Sequence, residues 1–208
     1  MNSRILKCNS VKCLAFALLF MFSSGMMEAQ NQVIDNIHAR KSVRTFRTNP
    51  DGSAVPVSKD TLEIVVKAGM CAPTAMNKQP WEFFVITREQ GKAGADPMAV
   101  LAEKLPYAKM LRTAGAAIVV LGNPEIGRLW QHDCSAAAEN ILLAIESLGL
   151  GGVWTAGYPY DERVSAIKET LGIPDPYLPL CVIPVGYPAG DTKAKDKWKP
   201  GKVHYNKW

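Results

Sequence analysis

The feature that most constrains the fold is a predicted helix that is apolar around most of its circumference. It begins at Asp133 or Ser135 and ends at Gly149. Its apolar side chains are Ala136, Ala137, Ala138, Ile141, Leu142, Leu143, Ala144, Ile145 and Leu148. A helix of this kind must be buried on nearly all sides. The pattern therefore predicts either the central helix of a monomer or a helix shared with a second subunit, and it does not separate the two.

Helices and strands alternate on both sides of this helix. The wholly apolar run Ala116–Leu121 predicts a strand buried on both faces, and the aromatic and β-branched run Trp81–Thr87 predicts another. Ser58 suits the N-cap of a helix that reaches Met70 and stops before Pro73. Further elements are predicted as helices over residues 33–39, about 98–105 and 161–171, and as strands over 153–156 and 178–185. This order predicts one α/β or α+β domain.

The first 29 residues are expected to lie outside that domain. A stretch with three basic residues precedes an unbroken apolar run over residues 13–22, and small residues follow as far as Ala29. This order is typical of a secretory signal peptide. Ten helical residues reach about 15 Å, half of a hydrocarbon core of about 30 Å, so no stable membrane span is expected after cleavage. We predict a cleaved signal over residues 1–29 and a single domain over 30–208.

The predicted location of the mature protein is the periplasm or the cell envelope. An uncleaved anchor remains open, because the apolar stretch extends with interruptions to Met27. A misassigned start also remains open, and the protein would then be cytoplasmic.

Composition and cysteine content exclude several classes of protein. With 48% hydrophobic and 21% charged residues, the chain has an ordinary globular composition. Its net charge of +5 is too small to indicate a nucleic-acid partner by itself. Cys71, Cys134 and Cys181 remain after signal removal, and an odd number excludes full internal pairing. We expect these three thiols to be buried small hydrophobic residues. No CxxC or HExxH motif is present, and no metal site is predicted.

Two cationic stretches could bind an anion. Arg40–Arg44 (Arg-Lys-Ser-Val-Arg) offers three cations and a hydroxyl, which suits a phosphate group. The alternative is a solvated basic loop. The tail from Asp191 onward carries six lysines with interleaved aromatic residues, and it could bind an anionic polymer, attach to a membrane surface or wrap onto the body of the protein.

A polar loop precedes the first strand. Pro73 and Pro80 force an irregular backbone there, and Thr74, Asn77 and Gln79 are presented between them. Side-chain amides donate and accept at once, as the edge of a heterocycle requires. The alternative is a loop whose amides cap nearby backbone groups.

The segment Gly149–Gly157 contains four glycines that would let backbone approach a ligand closely. It follows a helix instead of opening one, so it fits a Rossmann phosphate loop poorly, and a helix C-cap with a tight turn is the alternative. No side-chain nucleophile or general base is evident in the chain. If the protein is an enzyme, a bound cofactor would carry its chemistry.

In this order and spacing, these motifs resemble the nitroreductase family of FMN-dependent oxidoreductases. The likeness extends from about Ile34 to Trp208 and rests on Arg40-x-Ser42-x-Arg44, Ala72-Pro73-x-x-x-Asn77-x-Gln79-Pro80-Trp81, Gly149-Leu150-Gly151 and Lys195-x-Lys197. The resemblance implies an α+β fold, with a mostly antiparallel central sheet flanked by helices. It further implies an intertwined homodimer with FMN at the interface, where the long helix would be an interface helix.

The resemblance also implies a role for each motif. The FMN phosphate would be held by Arg40, Ser42, Lys195 and Lys197, with Lys41 along the ribityl chain. Arg44 would lie near the flavin N1 and C2 carbonyl. The second subunit would approach the flavin through Pro73, Thr74, Ala75, Asn77 and Gln79. Ala156 and Gly157 would offer backbone N–H groups near N5 and O4, where some members of the family have a Glu-Gly pair.

The implied activity is hydride transfer from NADH or NADPH through flavin N5 to a nitroaromatic, quinone-like or related small-molecule acceptor, in a ping-pong cycle. Because NAD(P)H is scarce outside the cytoplasm, the alternative is a flavin-binding or electron-relay protein of the cell envelope without nicotinamide turnover. A third hypothesis is a binder of acidic polymers or membrane surfaces that uses the lysine tail. No nucleic-acid partner is expected for an exported protein.

Overall fold

The computed structural model describes residues 31–88 and 96–208. The predicted signal peptide and residues 89–95 lie outside the described residues. The chain divides into two units, Met1–His38 and Ala39–Trp208. In the first unit, the described residues belong to helix α1, which extends over residues 31–39 and exposes three apolar side chains, Val33, Ile34 and Ile37.

The second unit is built on an antiparallel sheet. Its strands are β1 (Trp81–Thr87), β2 (Ala116–Gly122), β3 (Gly151–Gly152), β4 (Thr155–Ala156) and β5 (Leu178–Gly186). They lie in the order β1-β2-β5-β3, with β4 also paired to β5. Every pairing is antiparallel, which confirms the predicted α+β class and its antiparallel sheet.

Helices cover both faces of this sheet, as the continuous apolar sequence of β2 requires. They are α2 (Lys59–Met70), α3 (Pro97–Lys104), α4 (Trp130–Ser147) and α5 (Asp161–Leu171). Alternate side chains of β2 enter two cores: Ile118 and Val120 join the core with α2 and α4, whereas Val119 and Leu121 join the core with α3 and α5. All seven positions of β2 are buried, as predicted.

Most element boundaries follow the sequence signals. The side chain of Ser58 accepts a hydrogen bond from the Thr61 amide at the start of α2. Helix α4 differs from the prediction because it begins at Trp130, after a residue, Leu129, whose side chain cannot cap. The side chain of Trp130 is packed in the core at 4% exposure. The start of this helix is therefore stabilised by core packing and not by a capping side chain. Of the strand predicted over 153–156, only Thr155–Ala156 is a strand, and Gly151–Gly152 forms a separate strand that pairs with the end of β5.

The apolar circumference of α4 is largely covered within one chain. Ala137, Ala138, Ile141 and Ile145 are fully buried, whereas Leu148 is 42% exposed. Of the three cysteines, Cys134 and Cys181 are buried as predicted. For Cys71 the prediction of burial is wrong, because this residue follows the last turn of α2 and its side chain is exposed. Among the described residues, no helix combines the length and apolarity needed to cross a membrane.

Candidate functional site

The cationic segment Arg40–Arg44 is held in an extended form against β3. The Val43 N–H donates to Gly152 O at 2.9 Å, and Ser42 forms a parallel bridge with Gly152. Val43 is 1% exposed, whereas Ser42 and Arg44 on either side of it are exposed. Successive side chains of extended backbone point to opposite faces. The Ser42 hydroxyl and the Arg44 guanidinium are therefore presented together on the outer face.

Gly151 explains how this segment lies so close to the body of the protein. A Cβ at Gly151 would lie 2.7 Å from Val43 Cγ1, a separation that packed carbon atoms do not reach. Gly149 adopts φ +69° at the end of α4, which agrees with the predicted C-cap. The glycines of this segment thus let the backbone approach Val43, and they cap a helix.

Two of the three cations in the cationic segment are paired with acids on α4. Arg40 Nε lies 3.3 Å from Glu139 Oε1, and Lys41 Nζ donates to Glu146 Oε1 at 2.6 Å. The Lys41–Glu146 pair is largely shielded, with side-chain exposures of 24% and 14%. Within residues 31–88 and 96–208, Arg44 makes no ion pair. Arg44 is therefore the one cation of this segment that is not paired with an acid among the described residues.

The loop Pro73–Gln79, called the amide loop below, has an unusual backbone. Met76, Asn77 and Gln79 have φ values of 54°, 53° and 46°. This left-handed region costs a residue other than glycine about 1–3 kcal/mol and persists only where the surroundings hold it. The backbone N–H of Gln79 donates to Thr74 Oγ1 at 3.2 Å. The side-chain Nε2 of Gln79 donates to Asn77 Oδ1 at 2.9 Å.

These bonds leave much of the polar edge of the amide loop open. Pro73, Asn77 and Gln79 are exposed, and Thr74 and Ala75 are half-buried. The bond between the Asn77 and Gln79 side chains uses one donor and one acceptor, so Asn77 Nδ2 and Gln79 Oε1 stay free for a ligand. The loop therefore presents a donor beside an acceptor, the pattern that a heterocycle edge would meet.

Asp133, in the first turn of α4, connects the amide loop to the core. Its Oδ1 accepts a hydrogen bond from the Ala75 N–H at 3.1 Å. The residue is 6% exposed, and Oδ2 has no hydrogen-bond partner among the described residues. Burial, followed by the negative charge of Asp133, raises the pKa of the neighbouring Cys134 thiol to about 12.

The two predicted backbone N–H donors, Ala156 and Gly157, lie at the end of β4 and directly after it. The Gly157 N–H donates to Leu180 O at 2.9 Å, so it is not free for a ligand, and the prediction that it would be is wrong. Hydrogen bonds of an antiparallel pair engage alternate residues. The Ala156 N–H therefore points away from β5, while its carbonyl accepts from Arg163 Nη1 at 3.4 Å. Arg163 lies over the Tyr160 ring, with Cζ 3.8 Å from the ring centroid.

The two predicted tail lysines, Lys195 and Lys197, are exposed, as is every residue from 191 to 208. Tail contacts are local, such as the Trp198 N–H bond to Asp196 and the stacking of His204 on Trp208. In the part of the chain that the structure describes, no hydrogen bond or ion pair joins either lysine to Arg40 or Ser42. Their role at the phosphate stays a prediction.

The amide loop and the cationic segment contact different parts of α4. Asp133, which binds the loop, precedes Glu139 by six residues and Glu146 by thirteen. At 1.5 Å per residue these intervals are about 9 Å and about 20 Å. The loop thus meets the start of α4, and the cations meet its middle and its end. Sequence reasoning missed all three acids, although acidic residues on an otherwise apolar helix were a visible signal.

A cavity of about 450 Å³ lies elsewhere, between α2 and β1. Four apolar and four polar residues line it: Leu62, Val66, Met70 and Val85, with Lys59, Glu63, Lys67 and Thr87. None of the predicted site residues lines it. Among the described residues there is also no group of three or more potential metal ligands.

Comparisons with known proteins agree with this fold. The nitroreductase family matches residues 37–187 of the chain. A protein of Archaeoglobus fulgidus, provisionally named NADH dehydrogenase/NAD(P)H nitroreductase, is 38% identical over 180 residues, covering 83% of this chain and 96% of its own. A crystal structure from Bacteroides thetaiotaomicron with the same provisional name is 44% identical, with a TM-score of 0.77, covering 85% and 98% of the two chains. An FMN-dependent nitroreductase of Clostridium difficile is 27% identical, with a TM-score of 0.74, covering 84% and 99%.

Proposed function

This chain belongs to the nitroreductase family, and we propose that it is an FMN-dependent oxidoreductase that transfers electrons from NADH or NADPH to a nitroaromatic, quinone-like or related acceptor. Family membership and the names of its relatives support the cofactor and the donor. The observation that carries the proposal is the outer face of the cationic segment, where the Ser42 hydroxyl lies beside the unpaired Arg44.

The residues of the site fit FMN. A phosphate group needs cations and a hydroxyl donor, and Arg40 and Ser42 supply both from one rigid segment. Because Glu139 engages the Nε of Arg40, the terminal nitrogens of its guanidinium stay free for phosphate oxygens. Lys195 and Lys197 would add point charges from the tail.

When bound, FMN supplies the two-electron redox chemistry that no side chain of this protein offers. Arg44 would stabilise the negative charge that develops at the N1 edge on reduction. The Ala156 N–H and the free amide groups of Asn77 and Gln79 would orient the ring by hydrogen bonds. With these groups the protein contributes position and charge, and no acid–base residue is required.

We also propose that the complete site needs two copies of the chain. The cationic segment and the amide loop contact parts of α4 that are about 9–20 Å apart, which favours a site that combines the loop of one subunit with the cations of another. The exposed apolar residues of α1 would be available to such a partner. A mass measurement in solution would test this: a dimer is expected, and a monomer that retains FMN would refute it.

Export to the periplasm or cell envelope rests on the sequence of residues 1–29. This segment also favours the second candidate function, an electron-relay flavoprotein without nicotinamide turnover. N-terminal sequencing of the protein from fractionated cells would test export, and a cytoplasmic protein that retains Met1 would exclude it.

The decisive experiment is an anaerobic titration of the purified protein. We expect a yellow protein that releases FMN on denaturation and loses its flavin absorbance with NADH or NADPH. Reduction by dithionite alone would favour the electron-relay alternative. A colourless protein that cannot be reconstituted with FMN would refute both.

A double substitution tests the phosphate site. Charge-assisted hydrogen bonds contribute about 1.5–3 kcal/mol each, so Arg40→Ala with Ser42→Ala should raise the Kd for FMN at least about 100-fold. Arg47→Ala is the matched control, because Arg47 is a nearby exposed cation that bonds to Pro188 O instead. Equal Kd values for the two variants would remove Arg40 and Ser42 from the phosphate site.

A further inference from the structure

We propose that Asp133 is a positioning residue, whose carboxylate holds the amide loop in the shape that binds the cofactor. The link to the cofactor rests on the proposed function. The link to the loop rests on the geometry of this chain.

The amide loop cannot keep its shape by local bonds alone. Its left-handed residues are Met76, Asn77 and Gln79. Asparagine tolerates this region, but Met76 and Gln79 are held against their own preference. The bonds between Thr74, Asn77 and Gln79 lie within the exposed loop and would move with it. The bond from the Ala75 N–H to Asp133 differs, because its acceptor is 58 residues away on a core helix.

Asp133 is well suited to fix that N–H. Its surroundings exclude water, and a hydrogen bond to a carboxylate is stronger there than in solvent. The side chain lies in the first turn of α4, where the helix dipole favours a negative charge. The unpartnered Oδ2 shows that the carboxylate is not part of a wider network of the described residues. Its one described bond is the bond to the loop.

The consequence for the cofactor follows from the free groups of the loop. Asn77 Nδ2 and Gln79 Oε1 can meet a ligand edge only while the backbone between Thr74 and Gln79 keeps its left-handed form. Without the hydrogen bond that the Ala75 N–H donates to Asp133, the loop is expected to relax toward ordinary backbone angles and to move the side-chain amides of Asn77 and Gln79. Asp133 would thus affect FMN binding without contacting FMN.

The test compares Asp133→Ala, Asp133→Asn and Asn140→Ala with the wild-type protein. Asn140 is the matched control, because its Nδ2 bonds from the same helix to Ala68 O on α2 at 3.1 Å. Asparagine at position 133 keeps an acceptor for the Ala75 N–H without the charge, so it should rescue most of the loss.

Two measurements are made on each variant. The first is the rate of tryptic cleavage after Lys78 in cofactor-free protein, and the second is the Kd for FMN. Loss of one hydrogen bond to a charged group corresponds to about 10- to 100-fold. We expect Asp133→Ala to raise both the cleavage rate and the Kd by about that factor. Asp133→Asn should raise them by about three- to fivefold, because a neutral acceptor binds the N–H more weakly than a carboxylate does, and Asn140→Ala by less than about twofold.

The cleavage rate tests whether Asp133 holds the amide loop, and the Kd tests whether the loop affects FMN binding. An unchanged cleavage rate in Asp133→Ala would overturn the positioning role, and faster cleavage with an unchanged Kd would overturn its connection to the cofactor. If Asp133→Ala does not fold, a comparison of Asp133→Asn with Asn140→Ala decides: equal cleavage and equal Kd values would refute the proposal. A wild-type protein that binds no FMN would refute the proposed function, while its cleavage data would still show whether Asp133 holds the loop.

Discussion

Replacement of Gly151 by alanine should destabilise the protein because the added methyl group would overlap the side chain of Val43. The added Cβ would lie 2.7 Å from Cγ1, 2.8 Å from Cβ and 3.0 Å from Cγ2 of Val43. Val43 is 1% exposed, and its backbone is bonded to Gly152, so it cannot move away freely. Either Val43 or the β3 backbone must shift, and the cationic segment shifts with it.

The size of the effect follows from two opposing contributions. Overpacking of a core typically costs about 1–3 kcal/mol. Alanine reduces the conformational entropy of the unfolded chain relative to glycine, which returns about 0.4–1 kcal/mol. We expect a net loss of about 1–2 kcal/mol in the free energy of unfolding. In a domain of this size that corresponds to a Tm lower by about 2–8 °C.

Urea unfolding followed by far-ultraviolet circular dichroism would measure this loss. Gly201→Ala is the control, because a Cβ there meets nothing within 4 Å, and it should stay within about 0.5 kcal/mol of the wild type. Val43→Ala alone should cost about 2 kcal/mol. In the double variant the two losses should fall short of additivity by at least about 0.5 kcal/mol. Additive losses, or a Gly151→Ala variant as stable as Gly201→Ala, would refute the packing argument.

Three further predictions concern charge and thiols. Arg44→Ala should lower the reduction potential of bound FMN, because a cation near N1 favours the reduced form; an unshifted potential in a spectroelectrochemical titration would count against that location. Iodoacetamide should modify Cys71 in the native protein and reach Cys134 and Cys181 only after unfolding, and peptide mapping that finds equal labelling would contradict their burial. Stability should fall as the pH rises from 8 to 10, since the Cys134 thiol with its pKa of about 12 stays neutral in the folded state and ionises near 8.5 in the unfolded state. This thiol accounts for about 2 kcal/mol over that interval, and a Cys134→Ala variant with the same pH slope would refute the assignment.

The parts of the fold that the sequence predicts well are those with a short-range signal. The strand Trp81–Thr87 has the predicted bounds, because aromatic and β-branched residues fit a pleated strand whatever its partner is. The helix Asp161–Leu171 ends at Gly172, which adopts φ +66°, because a left-handed C-cap is a local requirement. Both signals act within a few residues, so no knowledge of the tertiary structure is needed.

The predictions that failed depend on contacts distant in sequence. Cys71 was expected to be buried because buried unpaired thiols are common in exported proteins, but the end of α2 leaves it exposed. The amide of Gly157 was expected to be free, but it is bonded to Leu180 on β5. The role of Lys41 along the ribityl chain stays a prediction, but its pairing with Glu146, 105 residues away, is likewise a contact that the sequence alone did not show. A partner of this kind emerges only when the register of the elements is known.

Helix α4 shows why the core and the site of this protein cannot be treated separately. Its apolar residues, such as Ile141 and Ile145, are buried at 0% and 1% exposure, and such packing leaves a helix little freedom to slide or rotate. The acids of the same helix are therefore fixed in position: Asp133 holds the amide loop, Glu139 meets Arg40, and Glu146 meets Lys41. A core substitution that displaces α4 would move all three carboxylates together. The apolar pattern that identifies α4 as a core helix thus also makes it the support on which the amide loop and the cationic segment of each chain are aligned.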